Sequence, residues 1–121
     1  MSKEADYSRF IVDMLKKKGA VVNVNTANMF DKAGRADVEA CYKGKYIALE
    51  LKTGNYQADP LQLKYLKKVR KAFGIGLLLR DQEGIDTLED LLYCIDHDIL
   101  SQYVQPALPE IKESVWGVEY D

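Results

Sequence analysis

The chain has 121 residues, 47% hydrophobic and 30% charged, a composition that fits one soluble globular domain and excludes disordered and fibrous classes. No apolar run approaches the ~18–20 residues of a membrane span. Net charge is −2, yet residues 1–80 hold 16 Lys/Arg against 8 Asp/Glu, and residues 81–121 hold only Lys112 against 11 acids.

That asymmetry matters because charges more than about 8–10 Å apart are largely screened at physiological salt. A polyanion would feel the basic part rather than the average, while the acidic remainder would be solvating or would meet the basic part of a second copy. Met1–Asp6 lacks the basic-then-apolar layout of a signal peptide, so cytoplasm is expected, bacterial or of a host if a virus encodes the chain. Cys41 and Cys94 lack CxxC spacing and are expected as small buried hydrophobes in a reducing compartment.

In chain order, residues 3–18 read as a helix with Tyr7, Ile11, Met14 and Leu15 at helical spacing, Ser2 as cap and Gly19 as stop. Residues 20–24 read as a short strand, and 25–35 as a loop. Residues 36–42 and 45–52 alternate as paired strands joined by Lys43-Gly44, a two-residue turn in which Gly supplies positive φ. Asp59 caps and Pro60 opens a helix running to about Phe73, with Gln62, Tyr65, Leu66, Val69 and Phe73 inward. Lys64, Lys67, Lys68 and Lys71 form its outer face: a solvated surface or a phosphate-tracking one. Residues 75–80 suit a buried strand. Thr87 is expected to cap a last helix with Leu88, Leu91, Leu92 and Ile95 inward. Domain 1–104 then precedes a tail, 105–121, expected to dock on the domain or on a dimer partner. The order αβββαβα implies an α/β fold, a mixed sheet covered on both faces.

A two-residue turn at 43–44 pairs Tyr42 with Lys45 and therefore brings Asp37 across from Glu50, Cβ atoms roughly 5 Å apart. Like charges so opposed destabilise a sheet unless a cation joins them. Ala48, Glu50 and Lys52 share that face, leaving Ile47, Leu49 and Leu51 for the core. Two acids, a small residue and one ammonium can hold Mg²⁺ or Mn²⁺ against a phosphodiester. A solvated outer face with unremarkable charges is the other reading of the same spacing. Glu39, opposite Ala48, reads as a rim charge. Asp96-His97-Asp98 points in different directions on a helix and is not expected to chelate.

Gly34-Arg35-Ala36-Asp37, twelve intervening residues, then Glu50-Leu51-Lys52-Thr53-Gly54 resembles the PD-(D/E)XK nuclease signature. Gln62 followed by Tyr65-Leu66, and Glu4 on the opening helix, are similar to elements of its VRR-Nuc (virus-type replication-repair nuclease) subgroup. The likeness runs from about residue 4 to residue 95. Ala36 stands where that family usually has Pro, which only stiffens the approach to the Asp.

The resemblance implies a restriction-endonuclease-like fold and a Mg²⁺- or Mn²⁺-dependent DNA endonuclease, typically a homodimer cutting branched DNA such as four-way (Holliday) junctions in DNA repair. It implies Asp37 and Glu50 as metal ligands, with the Leu51 carbonyl and Glu4 as further candidates. Lys52 would stabilise transition-state charge and Gln62 would position water or the Lys52 region; a buried amide satisfied by a backbone carbonyl is the plainer reading of Gln62. DNA would meet Lys64, Lys67, Lys68 and Lys71, or enter past Lys32 and Arg35. The alternatives are a non-catalytic DNA-binding module and a restriction-type nuclease.

Overall fold

A computed structural model describes residues 3–25 and 34–110. Its elements are α1 (Lys3–Lys17), β1 (Val21–Val24), β2 (Val38–Tyr42), β3 (Lys45–Lys52), α2 (Pro60–Lys71), β4 (Ile75–Arg80), α3 (Asp81–Asp96) and a short 3-10 turn at Leu100–Gln102. The strands form one sheet in the order β1-β2-β3-β4. The first three run antiparallel, and β4 joins β3 in parallel after the α2 crossover. No helix among the described residues is long and apolar enough to cross a membrane.

The β2–β3 turn sets the register. Lys43 and Gly44 take φ of 48° and 79°. Two positive-φ residues make the turn whose twist matches paired strands. The ladder then runs from Tyr42↔Lys45 to Val38↔Leu49. Its alternation separates two faces. Val38, Ala40, Tyr42, Ile47, Leu49, Ile75, Leu77 and Leu79 face Ile11, Leu15, Leu88 and Leu91 of α1 and α3 in the main core. The opposite face carries a smaller cluster in which Ala48 meets Leu66 and Val69 of α2.

Several local expectations change. α3 follows β4 without a loop, starting at Asp81 rather than at Thr87. Thr87 lies inside the helix, its hydroxyl donating to the Glu83 carbonyl at 2.9 Å. Gly84 and the acids around it hide a helical turn, because Gly84 is buried where the turn presses on Leu79 and Tyr7. Phe73 leaves the α2 stripe: it follows the helix end with φ of 67° and is 98% exposed, while Leu63 is buried in its stead. Cys41 is exposed and Cys94 half-buried. Strand alternation turns Cys41 to the α2 face beside Val21 and Tyr46, beyond the part that α2 covers. Ser2, Lys32, Lys112 and the tail beyond Glu110 lie outside the described residues.

Residues 105–108 pack on the α2 side. Gln105 accepts from Gly76 N at 2.9 Å and donates to Gly74 O at 3.2 Å, completing pairing at the open edge of β4. Leu108 packs on the α2 cluster. Asp96 accepts hydrogen bonds from Lys18, from Tyr42 at 2.5 Å and from Lys43 at 2.9 Å. These bonds hold its carboxyl well below the usual range and tie α3 to α1 and the hairpin.

Gly76 is where α2 lies closest to the sheet. A Cβ there would meet Leu66 O at 2.7 Å and Leu66 Cα at 3.2 Å. Backbone cannot swing aside as a side chain can. Gly76→Ala is expected to destabilise the protein by about 1–3 kcal/mol, the usual cost of overpacking; a urea midpoint unchanged from the parent would show that α2 lifts without cost.

Candidate active site

Three elements converge at the carboxyl end of β3. The β2–β3 ladder ends at Val38↔Leu49, so Asp37 and Glu50 are the next facing positions. Asp37 is half-buried and its Oδ2 accepts from Leu51 N at 2.9 Å. α2 runs back along the sheet, which places its first turn over the same end. There Gln62, 5% exposed, donates through Nε2 to Arg35 O at 3.3 Å and reaches 3.5 Å from Asp37 Oδ1. The plainer and the sharper expectations for Gln62 therefore coexist: its amide is held by a carbonyl and also borders the acid pair.

Glu50 is fully buried, and neither carboxylate oxygen has a hydrogen-bond partner among the described residues. Lys52 Nζ lies 3.4 Å from Oε2, near enough for an ion pair but not aligned to donate a hydrogen bond. Burial first, then the negative charge of Asp37, push the Glu50 carboxyl up to about 8; Lys52 opposes them. A buried orphan carboxylate beside a second acid costs free energy that a divalent cation would recover.

The donor set suits a hard cation. Leu51 spends its N–H on Asp37, and a strand residue's N–H and C=O point to the same edge, so the Leu51 carbonyl faces the Asp37 side as well. Two carboxylates and one carbonyl fit Mg²⁺, which keeps several waters of its own. Among the described residues no group of three His, Cys, Asp or Glu side chains is placed to hold a metal ion. Glu4 is thus not a third carboxylate beside Asp37 and Glu50. It is exposed in the first turn of α1 and lines a neighbouring cavity of about 1000 Å³ with Tyr7, Thr53, Gly54, Tyr56 and Asp81.

The remaining expected residues surround this centre. On α2, Lys68 and Lys71 are exposed and Lys64 and Lys67 half-exposed. Arg35 is exposed, 3.8 Å from Glu39 Oε2. Glu39 is more than a rim charge. It accepts from Asn25 Nδ2 at 2.8 Å and Tyr46 OH at 2.7 Å, and Tyr46 OH lies 2.7 Å from Tyr65 OH on α2. Burial raises the Glu39 carboxyl, but these donors outweigh it and leave it below its ordinary value.

Asn25, which the sequence marks only as the start of a loop, holds the approach to Asp37. Its side chain donates to Ala36 O at 2.7 Å and its backbone N–H to Asp37 O at 2.9 Å. Such a bridge from β1 supplies rigidity that Ala36, lacking a proline ring, does not.

A mixed four-stranded sheet flanked by three helices, with acids on an antiparallel ladder and a lysine two residues on, is a restriction-endonuclease-like α/β arrangement. Among solved structures the chain is similar to one described as a VRR_NUC domain, with a TM-score of 0.57 and 19% identity over 80% of this chain and 98% of that one. A second neighbour is a Holliday junction resolvase from the archaeal hyperthermophile Archaeoglobus fulgidus, at 16% identity and a TM-score of 0.46 over 63% of this chain and 64% of that one. No protein-family model and no curated protein matches the chain. The likeness to the VRR_NUC domain establishes a shared fold.

A carboxyl whose folded pKa is raised from 4.5 to about 8 contributes stability that is fully present below about 4.5 and lost as pH rises through 8. Glu50→Gln, neutral at every pH, is therefore expected to raise the melting temperature of metal-free protein near pH 8 and to do little at pH 4. Parallel melting curves across that range would contradict the buried, strained acid.

Proposed function

We propose that this protein is a divalent-metal-dependent endonuclease that hydrolyses phosphodiester bonds in DNA. The observation that carries the reading is Glu50: wholly buried, without a hydrogen-bond partner at either oxygen among the described residues, beside Asp37 and in an ion pair with Lys52 at 3.4 Å. A surface coincidence would leave these charges in water, where they cost nothing.

Asp37, Glu50 and the Leu51 carbonyl would hold Mg²⁺ or Mn²⁺. When bound, the metal supplies an activated water and charge neutralisation at the phosphate. Lys52 presents a point charge to the developing negative charge. Gln62 orients Asp37 through its amide and borders the space where water would attack. The buried aliphatic row behind Glu50 limits bulk water on the core side of the site. Branched DNA, four-way junctions first, is the substrate that the VRR-Nuc sequence resemblance points to, and a homodimer the expected assembly. The α2 lysines would track phosphates away from the scissile bond.

Labelled duplex, flap and four-way junction DNA incubated with Mg²⁺ or with EDTA tests the reading directly. Lys52→Ala is expected to lower the cleavage rate by ~10²–10³, the usual cost of one transition-state charge, while Mn²⁺ still raises the melting temperature by binding the native state. Asp37→Asn is expected to lose that thermal response to metal. Full activity in the Lys52 variant would end the assignment.

Replacing Lys64, Lys67, Lys68 and Lys71 with Gln should reduce the slope of log K against log salt by about 0.9 for each phosphate that is no longer neutralised. An unchanged slope would make the lysine face plain solvated surface.

A further inference from the structure

The parallel ladder brings a second cation to the site. Glu50 pairs with Leu78 and Lys52 with Arg80. Paired residues of neighbouring strands point to one face, and strands lie about 4.8 Å apart. Lys52 and Arg80 thus stand side by side at the carboxyl edge of the sheet, on the face that carries Asp37 and Glu50.

Lys52 has Glu50 as its partner. Arg80 has no carboxylate within ion-pair distance among the described residues. Asp81, next in sequence, spends both carboxylate oxygens on Gly54 N, at 3.2 Å each. Glu83 lines the same small cavity as Arg80 without pairing with it.

Nη1 of Arg80 donates to Gly54 O at 2.7 Å, and its other nitrogens make no hydrogen bond among the described residues. Asp81 and Arg80 therefore grip one residue, Gly54, by its N–H and its C=O. That grip fixes the guanidinium against the turn that follows Lys52 and leaves most of its donor fork unspent.

Lys52 and Arg80, two like charges on adjacent strands, repel. Arg80 is oriented as if for a ligand with planar-fork geometry, which a phosphate's oxygens match. Resting on the nuclease reading above, we propose that Arg80 binds a DNA backbone phosphate adjoining the scissile one, on the β4 side of Lys52. It is a substrate-binding residue, its guanidinium held in place by the bond to Gly54 O.

The test compares Arg80→Gln and Arg80→Lys with the parent in binding a fluorescent four-way junction and a duplex over a salt series. Ca²⁺ replaces Mg²⁺ to hold DNA uncut, and cleavage kinetics are then measured with Mg²⁺. Arg80→Gln is expected to lower the salt slope by about 0.9 and to raise KM more than it lowers kcat. Arg80→Lys should keep the slope and lose part of the affinity, since an ammonium lacks the fork.

An unchanged slope and KM in Arg80→Gln would overturn the proposal, and a fall in melting temperature with the slope unchanged would reduce Arg80 to a prop for Gly54. If the parent binds DNA but cuts none with any divalent metal, while Arg80→Gln still lowers the slope, the nuclease reading fails and the phosphate-binding role stands. A parent that binds no DNA overturns both.

Discussion

The like-charged pair across the end of the β2–β3 ladder is the constraint around which the rest is arranged. Ladder geometry fixes Asp37 opposite Glu50, and α2 seals Glu50 from water. Glu50, wholly buried, would not be stable alone in so dry a place. The free energy that holds them comes from elsewhere: the large aliphatic cluster beneath the sheet, where Ile47, Leu49, Leu77 and Leu79 are almost wholly buried. The sheet is stiff enough to impose a charge arrangement that a flexible loop would relax. Lys52 offsets part of the cost, yet Glu50 still titrates far above an ordinary carboxyl.

α2 converts that constraint into a site with two sides. Small residues at Ala48 and Gly76 let the helix approach backbone to backbone. Its first turn consequently delivers Gln62 to Asp37, while Tyr65 reaches Tyr46 and, through it, Glu39. Glu39 in turn anchors Asn25, whose bonds hold the two carbonyls flanking the approach to Asp37. A network from β1 to α2 therefore surrounds the acid that needs placing most accurately. Positioned groups of this kind matter because a small displacement of a ligand loses much of its effect on the reaction.

What the sequence discloses, and what it hides, divides along the reach of local rules. The Lys43-Gly44 turn determines the register of the whole hairpin, so the pairing that opposes Asp37 and Glu50 is readable from two letters. Asp59-Pro60 and the apolar spacing after it announce α2 and the inward Gln62. By contrast, Arg80 becomes a neighbour of Lys52 only through parallel pairing after a crossover, and parallel register leaves no turn to read. Cys41 is exposed for a related reason: alternation tells which face it takes, not where the covering helix stops. Thr87 looks like a cap because the acids before it resemble a loop; the tertiary contact of buried Gly84 with Tyr7 and Leu79 overrides that signal. Asn25 works through backbone carbonyls of Ala36 and Asp37, far along the chain and beyond any periodic pattern.

The sequence's charge asymmetry also acquires a spatial sense. α2, with its lysines, covers one face of the sheet, whereas α3, rich in Asp and Glu, packs on the other with α1. The sheet lies between most of these charges, although Asp81 and Glu83 at the start of α3 stand close to Arg80. Lys52, Arg80 and the α2 lysines thus lie on the α2 side of the sheet. Part of the opposite face is neutralised internally as well, since Asp96 takes up Lys18 and Lys43. A net charge of −2 is thus compatible with a strongly directional attraction.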